Sequence, residues 1–302
     1  MPEPQPELLL DARATLGEGP AWHARRKQLL WLDIEQKQIH FYNPKSGEDS
    51  TLTLGIRPGC LVPAPGGDLL LGVEHGFARL RLPPAADGLL PAENFTWLAQ
   101  PESHLPDNRF NDGKCSPEGR FLAGSMDTHE ENPCGALYSL SPDGVLQTLK
   151  SGLTISNGLT WSADGRTLYH IDTPTRQIVA HEYDPASGEI GAARVVVRVP
   201  AALGWPDGMT SDSRGNLWVG MWGGAALSVW NPTSGELLES IPLPAKNVTS
   251  CAFGGDSLNE LYITSARRGL SAADLAAYPL SGGLFRLKTR LAGAPTWEFG
   301  AA

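Results

Sequence analysis

Four residues that could do chemistry together each stand just ahead of a glycine: Glu18, Asp112, Asn157 and Asp207. Taken singly, Asn-Gly and Asp-Gly are turn dipeptides. Taken together, three carboxylates and an amide would repel one another unless something positive sat between them. Carboxylate and amide oxygens suit a hard cation such as calcium, magnesium or manganese, and no His or Cys belongs to the set. So few protein ligands would leave positions for water and substrate, as a catalytic site requires. A structural ion, or a hydrogen-bonded and partly protonated cluster, is the plainer alternative.

The four residues are far apart in the chain, so an internal repeat must bring them together. The stretch Ile155–Asp172, ISNGLTWSADGRTLYHID, reads as a hairpin: a strand at Gly158–Trp161, a turn at Ala163-Asp164-Gly165, and a strand at Thr167–Asp172. The same shape starts at Gly17, Arg57, Asn111 and Pro206, and more weakly at Thr249. The second strands begin near Leu30, Leu70, Phe121, Leu168, Leu217 and Leu261, a spacing of roughly 40 to 50 residues, which indicates propeller blades when strands alone fill it. The expectation is an all-β chain, a six-bladed β-propeller with four-stranded antiparallel blades, forming a single domain over residues 1–302. The first strand of each blade lines the central channel, so Glu18, Asp112, Asn157 and Asp207 should converge at one mouth.

Other segments fit this frame. Glu7–Arg13 reads as a strand that pairs into the last blade and closes the ring. A turn of the form [N/D]-P-x-S-G-E recurs at Asn43, Asp184 and Asn231, with Pro presetting φ and Gly taking the left-handed conformation. Two insertions stand out as lids or surface decoration: the Pro-rich, irregular Pro83–Asp107, and Asp127–Cys134, which lengthens the third blade's hairpin. Ser271–Tyr278 could form a short helical turn.

Composition narrows the function classes. Net charge is −9 with no block of Lys or Arg, which argues against a nucleic-acid surface and against an anionic membrane surface. No apolar run approaches the length of a membrane span, and MPEPQPELLLDAR lacks the basic start of a signal peptide, so a cytoplasmic location is the default. Apolar content of 41%, with 9 Trp and 8 Phe, supports a substantial core, and 34 Gly and 25 Pro fit many short strands and tight turns. Cys60, Cys115, Cys134 and Cys251 show no CxxC spacing and read as small buried thiols.

The motifs resemble the regucalcin/gluconolactonase (senescence marker protein) family of six-bladed propellers. The likeness covers nearly the whole chain. It is carried by Gly17-Glu18-Gly19-Pro20 with Trp22, Arg109-Phe110-Asn111-Asp112-Gly113-Lys114, Gly135-Ala136-Leu137-Tyr138, Ser156-Asn157-Gly158-Leu159 with Trp161, and Pro206-Asp207-Gly208-Met209. The resemblance implies one divalent cation held by Glu18, Asn157 and Asp207. Calcium comes first among the candidates, with zinc, magnesium, manganese and iron(II) as the others. It also implies Arg109 and Asn111 on the substrate side, with Asp112 beside them, and a sugar-acid lactone such as glucono- or xylonolactone as substrate.

The chain departs from the family pattern at Ser116-Pro117-Glu118-Gly119-Arg120, where relatives commonly carry Asp-Pro-x-Gly-Arg. A relative's substrate-contacting Glu is replaced near His129, with Glu130 adjacent. His129 is therefore a substrate-side candidate, and a solvated loop histidine is the alternative. Asp207 is the candidate general base. Three other readings stay open: a calcium-binding regulatory propeller without catalysis, a related metal-dependent esterase or organophosphate hydrolase, and a protein-interaction propeller exposing Trp205 and Trp222.

Overall fold

The computed structural model describes residues 5–82, 88–90 and 94–300. In each repeat the alternating strand pattern and its turn residues produce an antiparallel sheet, and the sheets are arranged as six blades. The first strands of the blades are Gly17–His23, Pro58–Pro63, Asn108–Cys115, Ser156–Trp161, Trp205–Ser211 and Asn247–Gly254. Each touches the first strand of the next blade, and the sixth returns to the first, which makes a closed ring around a central axis. Blades three and six therefore face each other across that axis.

Closure involves both ends of the chain. The strand Glu7–Leu10 pairs antiparallel with Leu284–Lys288 and completes blade six, as the sequence implies for this segment. Arg286 ties the seam, donating to Glu7 and, at 2.9 Å, to Glu260.

Inner strands are mostly buried because a neighbouring blade covers each face; outer strands such as Leu237–Pro242 are largely exposed. Each junction between blades carries its own apolar cluster. Leu30, Leu32 and Phe41 meet Leu61 and Leu71 between blades one and two, and Tyr169 and Ile171 meet Met209 and Val219 between blades four and five. Phe110 packs edge-on against Phe77 of the previous blade, with centroids 4.8 Å apart. Each such side chain contributes about 1.5–3 kcal/mol by burial, so the ring is held by many separate junctions and has no common centre.

The recurring turn is the same object three times. Asn43, Asp184 and Asn231 each accept from the backbone two residues on, at 3.0, 3.1 and 2.8 Å. The glycines that follow, Gly47, Gly188 and Gly235, all sit at φ 76°.

Some expectations change. Blade one gains a fifth strand, because Gly88–Leu89 pairs parallel to Asp49–Thr53. The stretch read as irregular, Pro83–Asp107, also holds Phe95–Ala99, the outer strand of blade two. Its prolines masked the strand pattern, and residues 83–87 and 91–93 lie outside the described residues. The short helix is Ala272–Ala277, capped by Ser271, which shares reciprocal bonds with Asp274. Cys60, Cys115 and Cys251 are buried free thiols, whereas Cys134 is exposed because it ends the loop of blade three. Among the described residues, no helix is long and apolar enough to cross a membrane.

Candidate functional site

One local device positions the polar residues. In all six blades the inner strand carries an irregularity against the second strand, and it falls at the same level. The breaks lie between Glu18 and Ala21, Pro58 and Cys60, Phe110 and Gly113, Asn157 and Leu159, Pro206 and Met209, and Val248 and Cys251. In each, the inner strand has one residue more than its partner, which bends the strand and re-aims a side chain.

The Asn-Gly and Asp-Gly pairs are thus strand bulges and not turns. Their glycines are required by close approach: a Cβ on Gly158 would lie 2.6 Å from the Asp207 carbonyl oxygen, and one on Gly208 would lie 2.1 Å from Ser250 Oγ. Neighbouring inner strands can touch at this level because these positions lack side chains.

Above the bulges opens a cavity of about 380 Å³, lined among others by Glu18, Arg109, Asn111, Asn157 and Asp207. This lies within the ordinary range for small-molecule sites. Trp205 and Trp222, directly paired across two strands of blade five, form one wall. The Arg176 guanidinium stacks on the Trp205 ring, 3.4 Å from its centroid, and holds it in place.

Glu18 and Asp207, two of the carboxylates lining the cavity, are both under strong pressure. Burial pushes Glu18 well above the usual carboxylate range, and the charge of Asp112 adds to it. Burial likewise raises Asp207, followed by the charges of Glu18 and Asp112. Arg109 is buried beside them, and burial together with the Arg268 charge lowers it to about 10, so it stays protonated at neutral pH. Its Nη1 donates to the Phe110 carbonyl at 3.0 Å and to Asn111 Oδ1 at 2.8 Å. Asn111 Nδ2 in turn donates to the Ser156 carbonyl of blade four at 3.0 Å. Both ends of the Asn111 amide are therefore engaged.

The donor set accommodates a hard cation. Thr173 donates to the Pro206 carbonyl at 2.8 Å, so its oxygen accepts from Asn157 Nδ2 at 3.0 Å. That orientation leaves Asn157 Oδ1 buried without a hydrogen-bond partner. A buried carbonyl oxygen without a donor is costly, and a cation shared with Glu18 and Asp207 would satisfy it. Among the described residues, no three His, Cys, Asp or Glu side chains form a ligand group. Here the third oxygen belongs to an amide.

Two candidates sit elsewhere. Asp112 does not line the cavity; it is buried, accepts from Gly113 N at 2.7 Å, and is raised by burial against the opposing charge of Lys114. His129 does not line it either. Its side chain is 64% exposed and turns to Asp127, 3.1 Å away, and the Glu130 that follows is in the left-handed conformation. Glu130 itself lines the cavity, as do Thr173 and Arg268. Sequence reasoning gave Glu130 only as a neighbour of His129 and missed Thr173 and Arg268, which lie in connections outside the repeated motif.

Comparison with known proteins agrees with the propeller fold. Residues 16–267 match the family model described as SMP-30/Gluconolactonase/LRE-like region. The chain is 35% identical over 286 residues to YvrE of Bacillus subtilis, a protein named for sugar lactone lactonase activity, with 95% of each chain covered. It is 32% identical over 294 residues to regucalcin of Gallus gallus, again with 95% of each covered. The crystal structure of a calcium-binding protein, regucalcin, from Agrobacterium tumefaciens superposes with a TM-score of 0.90 at 26% identity, covering 99% of this chain and 98% of that one.

Proposed function

The chain belongs to the SMP-30/gluconolactonase/LRE-like family, and from that membership we propose that it is a divalent-cation-dependent lactonase acting on sugar-acid lactones. The observation that carries the cation is Asn157 Oδ1, buried and unpartnered in the cavity it shares with Glu18 and Asp207. Relatives named for sugar lactone lactonase and for calcium binding support the same reading. Calcium is the first choice of ion, and Glu18, Asn157 and Asp207 would hold it. When bound, such a cation supplies positive charge to the lactone carbonyl as its carbon becomes tetrahedral.

The rest of the chemistry falls to the chain. Asp207, which lines the cavity, takes a proton from the attacking water through a carboxylate oxygen. The water oxygen bonds to the carbonyl carbon, the ring C–O bond breaks, and the proton passes to the departing ring oxygen. The product is the open hydroxy acid. Arg109, anchored through Asn111, orients the sugar hydroxyls. Trp205 and Trp222 offer flat faces for its C–H groups and narrow the access of bulk water.

The test is a panel of aldonolactones assayed with chelated protein and with each divalent ion added back. Hydrolysis should vanish on chelation and return with the right ion. Hydrolysis indifferent to chelation would remove the cation from the reading, and hydrolysis of no sugar lactone would remove the activity. The second reading, cation binding without turnover, draws on the calcium-binding relative alone. It leaves the buried Arg109 and the paired tryptophans without a task.

A further inference from the structure

Two charged residues over the cavity mouth lie outside the proposed chemistry. Arg268 follows the second strand of blade six, and Glu130 sits in the loop of blade three, on the opposite side of the ring. They meet across the opening, with Arg268 Nη2 2.9 Å from Glu130 Oε1. Both line the cavity.

Each is delivered by a fixed backbone. Arg268 N donates to the Thr15 carbonyl at 2.8 Å, and the Arg268 carbonyl accepts from Asn247 Nδ2 at 3.0 Å. Asp127 ties down the loop that carries Glu130, accepting from His129 N at 3.0 Å and Asn132 Nδ2 at 2.8 Å. Glu130 itself takes φ 64°, a left-handed conformation that the loop must impose. A second carboxylate, Glu35 of blade one, lies 3.9 Å from the other side of Arg268 and 3.8 Å from Arg57.

Of the cationic side chains lining the cavity, Arg109 bonds Phe110 and Asn111 through Nη1 alone, whereas Arg268 has its charge paired with Glu130 at the mouth. A lactone that carries its own carboxylate would meet Glu130 at the entrance, where the guanidinium of Arg268 is already paired. An uncharged polyhydroxy lactone pays no such penalty. The Arg268 and Glu130 side chains are 32% and 44% exposed, so the pair is weakly held and a single substitution can unbalance it. We propose that the Arg268–Glu130 ion pair determines specificity, admitting neutral sugar lactones in preference to lactones bearing a carboxylate. This rests on the lactonase reading for its substrate class, and on the mouth geometry for its direction.

The experiment compares wild type, Glu130→Gln and Arg268→Gln, with calcium present, on D-glucono-1,5-lactone and on D-glucaro-1,4-lactone, which carries a free carboxylate. The readout is the ratio of kcat/KM for the anionic lactone to that for the neutral one. Glu130→Gln frees the guanidinium and should raise the ratio at least tenfold, chiefly through KM of the anionic lactone. Arg268→Gln leaves the carboxylates uncompensated and should lower it. High salt should compress both changes.

Melting temperatures check that the variants are folded, and ligand-observed NMR titration gives the same ratio for binding alone. A ratio that does not move in two folded variants overturns the proposal, as does binding of neither lactone. If neither lactone is hydrolysed but the binding ratio moves as stated, the lactonase reading falls and the selectivity stands.

Discussion

Arg109 Nη1 donates to the carboxamide oxygen of Asn111, two residues along the same bulged strand, at 2.8 Å. The guanidinium and the amide therefore act as one unit, whose far end is fastened to blade four through the Ser156 carbonyl. Removing either should disturb both. Arg109→Ala should cut kcat/KM on the best lactone by roughly ten- to a hundredfold, the loss of a charge-assisted hydrogen bond of about 1.5–3 kcal/mol. Asn111→Ala should cost less, and the double variant should fall short of the product of the two losses, as residues sharing a bond are not additive. Strict additivity in a double-mutant cycle would mean that the bond has no role in turnover.

Asn157 offers a test of the cation that needs no substrate. Calcium should raise the melting temperature of the wild-type protein, and an excess of about a hundredfold over Kd corresponds to about 2.7 kcal/mol. Asn157→Leu and Asp207→Asn should each lose most of that rise, because each removes an oxygen or a charge from the proposed ligand set. Differential scanning calorimetry with and without calcium measures it. An undiminished rise in both variants would place the ion elsewhere.

The glycines of the bulges allow the strands to touch. A Cβ on Gly208 would stand 2.1 Å from Ser250 Oγ and 2.4 Å from Ser250 Cβ. Gly208→Ala should therefore destabilise the protein by about 1–3 kcal/mol and displace Asp207, with loss of turnover. Adding Ser250→Gly removes the two nearest atoms, leaving the Ser250 Cα at 2.9 Å, and should restore part of both. If it restores neither, the cost of Gly208→Ala has another source.

A separate pH effect belongs to blade four. Burial, with help from Lys150 and His181, lowers His170 to about 3; burial and then Lys150 lower His181 to about 4. Both stay neutral when folded, while an unfolded histidine takes its proton near 6.5. A depressed folded pKa contributes stability above the unfolded value and loses it as pH falls. Melting temperature should thus decline between about pH 6.5 and 4. His181→Phe should flatten that slope whatever it costs at pH 7, and an unchanged slope would assign the decline to other groups.

The ring and the equivalence of its inner positions were legible in the sequence because the repeat writes them several times. One Asn-Gly says turn, whereas Asn-Gly, Asp-Gly and Glu-Gly at one register say channel. Whether a residue lines the cavity or lies beneath it was not legible. Asp112 and Asp207 precede glycines alike, yet burial beside Lys114 takes Asp112 out of the lining. The mouth was hidden for a different reason. Glu130 and Arg268 sit in connections that differ from blade to blade, so no repeat aligns them, and only the closed ring brings blade six over blade three. Phe95–Ala99 was obscured by the Pro-rich composition around it.

The bulge that recurs in all six inner strands makes the number of ligands a variable that point substitution can adjust. Its level offers six related backbone positions, of which that of Asp112 lies outside the cavity lining, and blades two and six place there Pro58 and Thr249, the latter turned away to donate to the Gly17 carbonyl at 2.6 Å. An oxygen donor introduced at either position would enter an existing frame, since the backbone there is already bent. Charge and coordination around the axis can therefore drift between lineages while the ring stays fixed. This gives a physical route by which one scaffold could come to prefer different ions and different esters.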